Sequence, residues 1–141
     1  MPNLVKWSSP TNVSAPISGA SAVANAGALG TEYDNETAKN RFATFELNFT
    51  HGSAPTANRV WLLYILLATD GTNYEDGDAS TKPAKMHTIA FPVRAVTTSQ
   101  RVTIPNVLIP PFKFKPLTWN DTNQNGASVT LNMEVFNEEI Q

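Results

Sequence analysis

Apolar and polar residues alternate at every second position over much of this chain. In the segment 42–50, Phe45, Leu47 and Phe49 share one face, and the polar residues between them point the other way. Because successive side chains of a β-strand point to opposite faces, this alternation predicts a strand with one buried and one solvated face. The segment 127–136 has the same period, and its in-phase apolar residues are Val129, Leu131, Met133 and Val135.

Four further segments have strand length and are rich in β-branched and aromatic residues. They are 59–68, 87–96, 100–109 and 112–119. The segment 59–68 is apolar on both faces, which predicts a central strand, and Pro92 within 87–96 predicts an edge or bulged strand. No segment has an extended helical period. We therefore expect an all-β fold of seven or eight strands, an antiparallel β-sandwich of jelly-roll type.

The first forty residues have a different composition from the rest. Residues 8–30 are dominated by Ala, Ser, Asn, Gly and Pro, and such a stretch cannot bury enough apolar surface to offset its ordering entropy alone. We therefore expect residues 1–40 to form an extended N-terminal arm, ordered only against the body or a neighbour, with a short strand at 29–33. Residues 41–141 are expected to form the sandwich domain.

Two regions are candidates for contacts with other molecules. The polar loop 69–85 is much longer than the usual connection of about four to six residues, and loops of that length tend to be functional. Large apolar anchors dominate the energies of protein interfaces. We expect Leu4, Val5 and Trp7 of the arm and Tyr74 of this loop to make such contacts.

Charge and cysteine content exclude several classes of function. Only 16% of the residues are charged and the formal net charge is −2, so the chain lacks the clustered cations with which proteins bind nucleic acid or anionic lipid. We expect neither a nucleic acid nor a membrane as partner. The chain has no cysteine, which excludes disulfides and thiolate metal sites. Its first residues do not resemble a secretory signal, and we expect it to remain in the cytoplasm until it assembles.

The common catalytic motifs are absent from the sequence. His51 and His87 have no second histidine or carboxylate at metal-ligand spacing, and we interpret them as polar loop or strand-end residues. Glu46 and Glu134 fall on the polar phase of their strands, which places them in water rather than in a cleft. We expect no catalytic residue, no enzymatic activity and no cofactor.

Two loops could hold a metal ion. The turn 121–126 has the pattern D-x-[DN]-x-[DN]-G that opens an EF-hand calcium loop, but the twelfth position is Asn132 rather than glutamate. Asn and Gly also suit a hairpin turn, which we favour over calcium. The second loop has four carboxylates, where we favour a solvated loop over a divalent ion: Asp70, Glu75, Asp76 and Asp78.

Three segments follow one another in a recognisable order: 61–77 (WLLYILLATDGTNYEDG), 89–101 (IAFPVRAVTTSQR) and 109–115 (IPPFKFK). Together they resemble small virion-associated structural proteins of tailed bacteriophages. The phrases LGTEYDN at 29–35 and FELN at 45–48 fit the same pattern. From the first of these phrases to the last, the resemblance spans about two thirds of the chain. It implies a β-sandwich that acts by assembly, and it supplies no active-site residue.

The resemblance leads to an expected function in the virion. We expect a capsid decoration (cement) protein that stabilises the head by multivalent contacts with the major capsid protein, other virion proteins and copies of itself. A tail or neck component is the alternative within the same class. The alternative from another class is a carbohydrate-binding module for host attachment, with Tyr74 and Trp119 as its ligand-binding residues and calcium as a candidate ion.

Overall fold

The computed structural model describes residues 4–140 as eleven strands and one helical turn. In chain order they are β1 (Val5–Trp7), β2 (Thr11–Ala22), β3 (Gly27–Leu29), β4 (Tyr33–Asp34), α1 (Asn35–Ala38), β5 (Phe42–His51), β6 (Val60–Ala68), β7 (Ile89–Pro92), β8 (Gln100–Leu108), β9 (Lys113–Asp121), β10 (Gly126–Phe136) and β11 (Glu138–Ile140). No helix in this part of the chain has the length and hydrophobicity of a membrane span.

The strands form two main sheets and a small ribbon. One sheet has the order β2-β10-β5-β8, and the other has the order β3-β9-β6-β7, with β4 also paired to β9. Strands β1 and β11 pair with each other. All these pairings are antiparallel, which confirms the predicted all-β, antiparallel class.

The main core lies between the inner faces of the two sheets. Phe45 and Leu47 of the four-stranded sheet and Trp61 and Leu63 of the five-stranded sheet belong to one buried cluster. The in-phase residues predicted for β5 and β10 all face this core, as the alternation requires. Burial of each large apolar side chain contributes about 1.5 to 3 kcal/mol, so this cluster is the main source of stability.

A second, smaller cluster explains why β6 is apolar on both faces. Strand β6 lies between β9 and β7, as predicted for a central strand. Its outward side chains, together with two from β9, form the outer cluster: Leu62, Tyr64, Leu66, Leu117 and Trp119. The loop between β6 and β7 lies against this cluster. A Cβ on Gly77 would lie 2.8 Å from the Cγ of the buried Pro83 and 3.3 Å from the Cδ1 of Leu66.

Strand β7 is shorter than the predicted segment 87–96. It ends at Pro92 and is an edge strand, as the proline predicted. It reaches along β6 only to Leu63. Beyond that point the long loop takes its place, because the Nζ of Lys85 donates to the carbonyl oxygen of Ile65 at 2.6 Å.

The segment expected as an arm supplies strands to both sheets. Residues 11–22 form β2, which pairs with β10, and β3 pairs with β9. The sandwich thus begins at Thr11 rather than at residue 41. Small side chains such as those of Ala22 and Ala28 fit into the core, and the strand ladders satisfy the backbone polar groups. Residues 1–3 of the expected arm and residue 141 lie outside the described part.

Candidate assembly surface

Three aromatic rings form a cluster where the four-stranded sheet meets the ribbon. The rings of Phe42 and Phe136 stack at 5.6 Å between centroids, and Trp7 meets both edge to face at 5.5 and 5.4 Å. The guanidinium carbon of Arg41 lies 5.3 Å from the centroid of Phe42. Trp7 is nevertheless 55% exposed, so it is held in place by two rings and still offers a large surface to a partner.

Strands β1 and β11 form what we call the terminal ribbon. Val5 pairs with Ile140 and Lys6 with Glu139, and all six residues of the two strands are exposed. Lys6 and Glu139 make an ion pair at 3.8 Å. Because side chains alternate across a strand, this pair lies on one face of the ribbon, and the apolar pair Val5 and Ile140 lies on the other.

The residue between β10 and β11 attaches the ribbon to the body. The carbonyl oxygen of Asn137 accepts from the backbone N–H of Ser8 at 2.8 Å, and its side-chain Oδ1 accepts from the N–H of Arg41 at 2.7 Å. The guanidinium of Arg41 also pairs with Glu138 at 3.2 Å. These bonds connect β1, β5 and β11, so the ribbon is fixed to the body at its base.

Exposed apolar side chains collect around this region in what we call the terminal patch, consisting of Leu4, Val5, Trp7, Leu108 and Ile140. Leu108 is 64% exposed and lies opposite Phe42 in the register of β5 and β8, which makes it continuous with the aromatic cluster. Depressions of about 240, 380 and 510 Å³ border the patch. Apolar groups clustered at the surface beside such depressions are typical of interaction sites.

Three of the predicted contact residues therefore lie together, and sequence reasoning missed two others. Leu4, Val5 and Trp7 are all exposed. Leu108 and Ile140 were not expected there, because the first depends on strand register and the second on pairing between residues more than 130 positions apart. No periodic pattern in the sequence indicates the position of either residue.

Tyr74, the fourth predicted contact residue, lies elsewhere. Its hydroxyl donates to Glu32, and the ammonium of Lys115 lies 4.4 Å from its ring centroid. Burial and the neighbouring Glu32 raise the pKa of Tyr74 to about 12. These contacts attach the long loop to the five-stranded sheet, whereas the terminal patch is built on the four-stranded sheet and the ribbon.

Carboxylates of the long loop stabilise its turns. Asp70 accepts from the N–H groups of Thr72 and Asn73, and these hydrogen bonds lower the pKa of its carboxyl to about 2. Asp78 accepts in the same way from the next turn, and Glu75 pairs with Lys85. Among residues 4–140, no three His, Asp or Glu side chains are arranged to hold a metal ion.

The turn 121–126 connects the two sheets rather than the two strands of a hairpin. Strand β9 belongs to one sheet and β10 to the other, so the predicted hairpin is replaced by a crossing between sheets. Buried Asn120 organises it: its Nδ2 donates to the carbonyl oxygens of Ala22 and Gln124, and its Oδ1 accepts from Thr122. Of the three polar side chains in the calcium-loop pattern, that of Asn125 accepts from the backbone N–H of Ala24 at 3.1 Å.

The titratable residues considered for catalysis have structural surroundings. His51 is buried: its Nδ1 lies 3.1 Å from the carbonyl oxygen of Asn125, and the indole N–H of Trp61 points at its Nε2 from 3.4 Å. Burial lowers the pKa of His51, and a neutral ring that donates from Nδ1 and accepts at Nε2 satisfies both contacts. His87 is exposed and meets the ring of Tyr64 edge on.

The two strand glutamates lie on the outer face of the four-stranded sheet, as their polar phase predicts. Glu46 accepts hydrogen bonds from Asn132 at 3.1 Å and Thr103 at 3.3 Å. Glu134 lines the same shallow depression of about 420 Å³. The depression is open and polar, in contrast to the apolar setting that a catalytic acid requires.

Trp119 is not available as a sugar platform. It is 5% exposed and belongs to the outer cluster beneath the long loop. The sequence suggested a loop end for Trp119, but it lies within β9 on a covered face of the sheet. Comparisons of the chain with family models, with curated proteins and with solved structures return no match.

Proposed function

We propose that this protein is a non-enzymatic structural component of a bacteriophage virion, a capsid decoration (cement) protein that binds the major capsid protein and copies of itself. The observation that carries the proposal is the terminal patch, where exposed apolar residues surround a tryptophan held by two phenylalanine rings. Rigid aromatic anchors of this kind are typical centres of protein interfaces. The resemblance to virion proteins at 61–77, 89–101 and 109–115 supports a virion as the place where this patch makes its contacts.

The proposal includes a jelly-roll fold for the sandwich. The strand orders β2-β10-β5-β8 and β3-β9-β6-β7 support it. The chain crosses from one sheet to the other after β2, β4, β5, β7, β8 and β9, as expected of two intertwined Greek keys. A rigid scaffold of this kind presents the terminal patch in one fixed orientation, which suits a protein that occupies many equivalent sites on a symmetric shell.

Multivalency explains how a small patch can be sufficient. Each copy needs only a moderate contact, because neighbouring contacts on the same particle raise the effective concentration of the next. The protein then holds adjoining capsid subunits together without any chemical step. Its location is the virion, after assembly in the host cytoplasm.

Binding to particles tests the proposal. Purified protein is added to heads that lack it, and the temperature of DNA release is followed with a fluorescent dye. Trp7→Ala and Val5→Asp should weaken binding and remove the gain in release temperature, while Val23→Asp, at an exposed apolar site outside the terminal patch, should leave both unchanged. Deletion of the first 28 residues is unsuitable, because it removes β2 and most of β3.

The same experiment distinguishes the cement role from a tail or neck role and from a glycan-binding module. Protein that binds only to tails or necks by immunoelectron microscopy would replace the cement role with the tail or neck role. Protein that binds no particle component but binds host glycans would refute a virion structural role. We do not favour the glycan module, because Trp119 is buried and Tyr74 is engaged by Glu32 and Lys115.

A further inference from the structure

The terminal ribbon has open backbone edges. Among residues 4–140, β1 pairs with no strand other than β11, and β11 pairs with no strand other than β1. A two-stranded ribbon is marginally stable alone, and an open strand edge is a template for pairing with another chain. The apolar face of the ribbon is also uncovered, with Val5 65% and Ile140 74% exposed.

We infer that the terminal ribbon is where one copy of this chain binds the next, with the open edge of β1 in one copy pairing with the open edge of β11 in its neighbour. The inference rests on the proposed function, because it names a second copy as the partner at part of the terminal patch. The pairing would extend the ribbon into a continuous antiparallel sheet to which each successive copy contributes two adjacent strands, β11 and β1.

Charge complementarity selects this head-to-tail pairing over a symmetric one. If β1 paired with β1 of another copy about its centre, Lys6 would face Lys6, and β11 with β11 would bring Glu139 against Glu139. Like charges directly opposite each other destabilise a sheet. Pairing β1 with β11 of the neighbour in the register seen within one chain places Lys6 against Glu139 again and Val5 against Ile140.

Strand spacing also determines the kind of assembly. With strands about 4.8 Å apart, a ribbon is about 10 Å wide, whereas the four-stranded sheet of the body is about 19 Å wide. The wider bodies are accommodated when successive copies rotate about an axis near the ribbons, and a head-to-tail contact closes into a ring when that rotation divides a full turn. The apolar pairs of Val5 and Ile140 would then be shared between copies.

Sedimentation velocity of the purified full chain tests the inference, at concentrations of about 1 to 100 µM. The wild type should form a closed oligomer, and Val5→Asp should raise its dissociation constant by on the order of tenfold or more, while Val23→Asp should not. Lys6→Glu should weaken the oligomer, and the double variant Lys6→Glu with Glu139→Lys should restore it. Circular dichroism of each variant confirms that the body remains folded.

A carbodiimide cross-link supplies a second measurement. In a mixture of ¹⁵N-labelled and unlabelled protein, the inference requires cross-linked Lys6–Glu139 peptides that contain one labelled and one unlabelled partner. A monomeric wild type, an oligomer unaffected by Lys6→Glu, or cross-links within single copies only would overturn it. A monomer that still binds particles would refute the inference and leave the cement role. A ring that binds no particle would support the inference and refute the cement role.

Discussion

Gly126 begins β10 at a point where the main core leaves no room for a side chain. A Cβ built on it would lie 2.8 Å from the Cη2 of Trp61 and closer still to the Cζ2 of the same ring. Trp61 is fully buried, and its indole N–H points at His51. The ring therefore cannot move away without losing that hydrogen bond and its packing in the core. Overpacking of this kind costs about 1 to 3 kcal/mol, and disruption of the indole hydrogen bond adds about 1 kcal/mol.

We therefore expect Gly126→Ala to lower the free energy of unfolding by about 3 kcal/mol. With a denaturant dependence of about 1.5 kcal/mol per molar urea, the unfolding midpoint should fall by about 2 M. Gly52→Ala is the matched control, because a Cβ at Gly52 meets nothing within 4 Å, and its stability should be unchanged or slightly raised. Equal midpoints for the two variants would refute the close approach of β10 to Trp61.

Three further predictions concern charged or titratable groups. Because burial lowers the pKa of His51 in the folded protein, the unfolded chain binds more protons just below the ordinary value of about 6.5, so stability should fall with acidification through that range. Urea titrations at several pH values should show a shallower pH slope for His51→Phe, and an unchanged slope would contradict the buried, neutral ring. Asp70, with its pKa lowered to about 2, should support its turn above about pH 4 and lose that effect between about pH 4 and 2. Asp70→Ala should therefore speed proteolysis within the long loop at neutral pH while the unfolding midpoint changes little, and equal cleavage rates would show that the turn does not depend on the carboxylate. Lys85→Met removes the donor to the carbonyl oxygen of Ile65 and should cost about 1 kcal/mol in urea unfolding, whereas Lys82→Met, at an exposed residue of the same loop, should cost nothing measurable.

The central strands could be predicted because their periodicity reflects burial directly. Phe45, Leu47 and Phe49 are buried and the residues between them are not, and β6 is buried on both faces. Each of these strands pairs on both sides in a sheet with one inner face. The buried positions of such a strand can be predicted without knowing which strands pair with it, because the apolar residues themselves mark the buried face.

The strands of the first forty residues were harder to find. Strand β2 is an edge strand with mostly small or polar residues, and only Pro16, Ile17 and Ala22 within it are buried. Its order comes from pairing with β10, more than 100 positions away in the chain. Composition measures what a segment can bury by itself, so it understates a strand that is held by a partner's backbone.

The candidate surface could be predicted only in part for a related reason. Leu4, Val5 and Trp7 stood out as apolar residues in a polar segment, but Leu108 lies beside them because of an irregular register between β5 and β8. Asn106 has a φ of 57° and lies just after Pro105, in the stretch where that register shifts. A one-residue shift reverses which side chains face the core, and no rule applied to β8 alone reveals it.

Because β1 leads toward β2 and β11 follows β10, a pull on the terminal ribbon away from the body is transmitted into one pair of neighbouring strands. Both strands would be pulled from the same end, so the ladder hydrogen bonds between β10 and β5 would bear such tension together, in shear rather than one at a time. A pull that separates Val5 from Ile140 would instead open the ribbon pair by pair, like a zipper. The fold should therefore resist lifting from its attachment far better than splitting of its two ends.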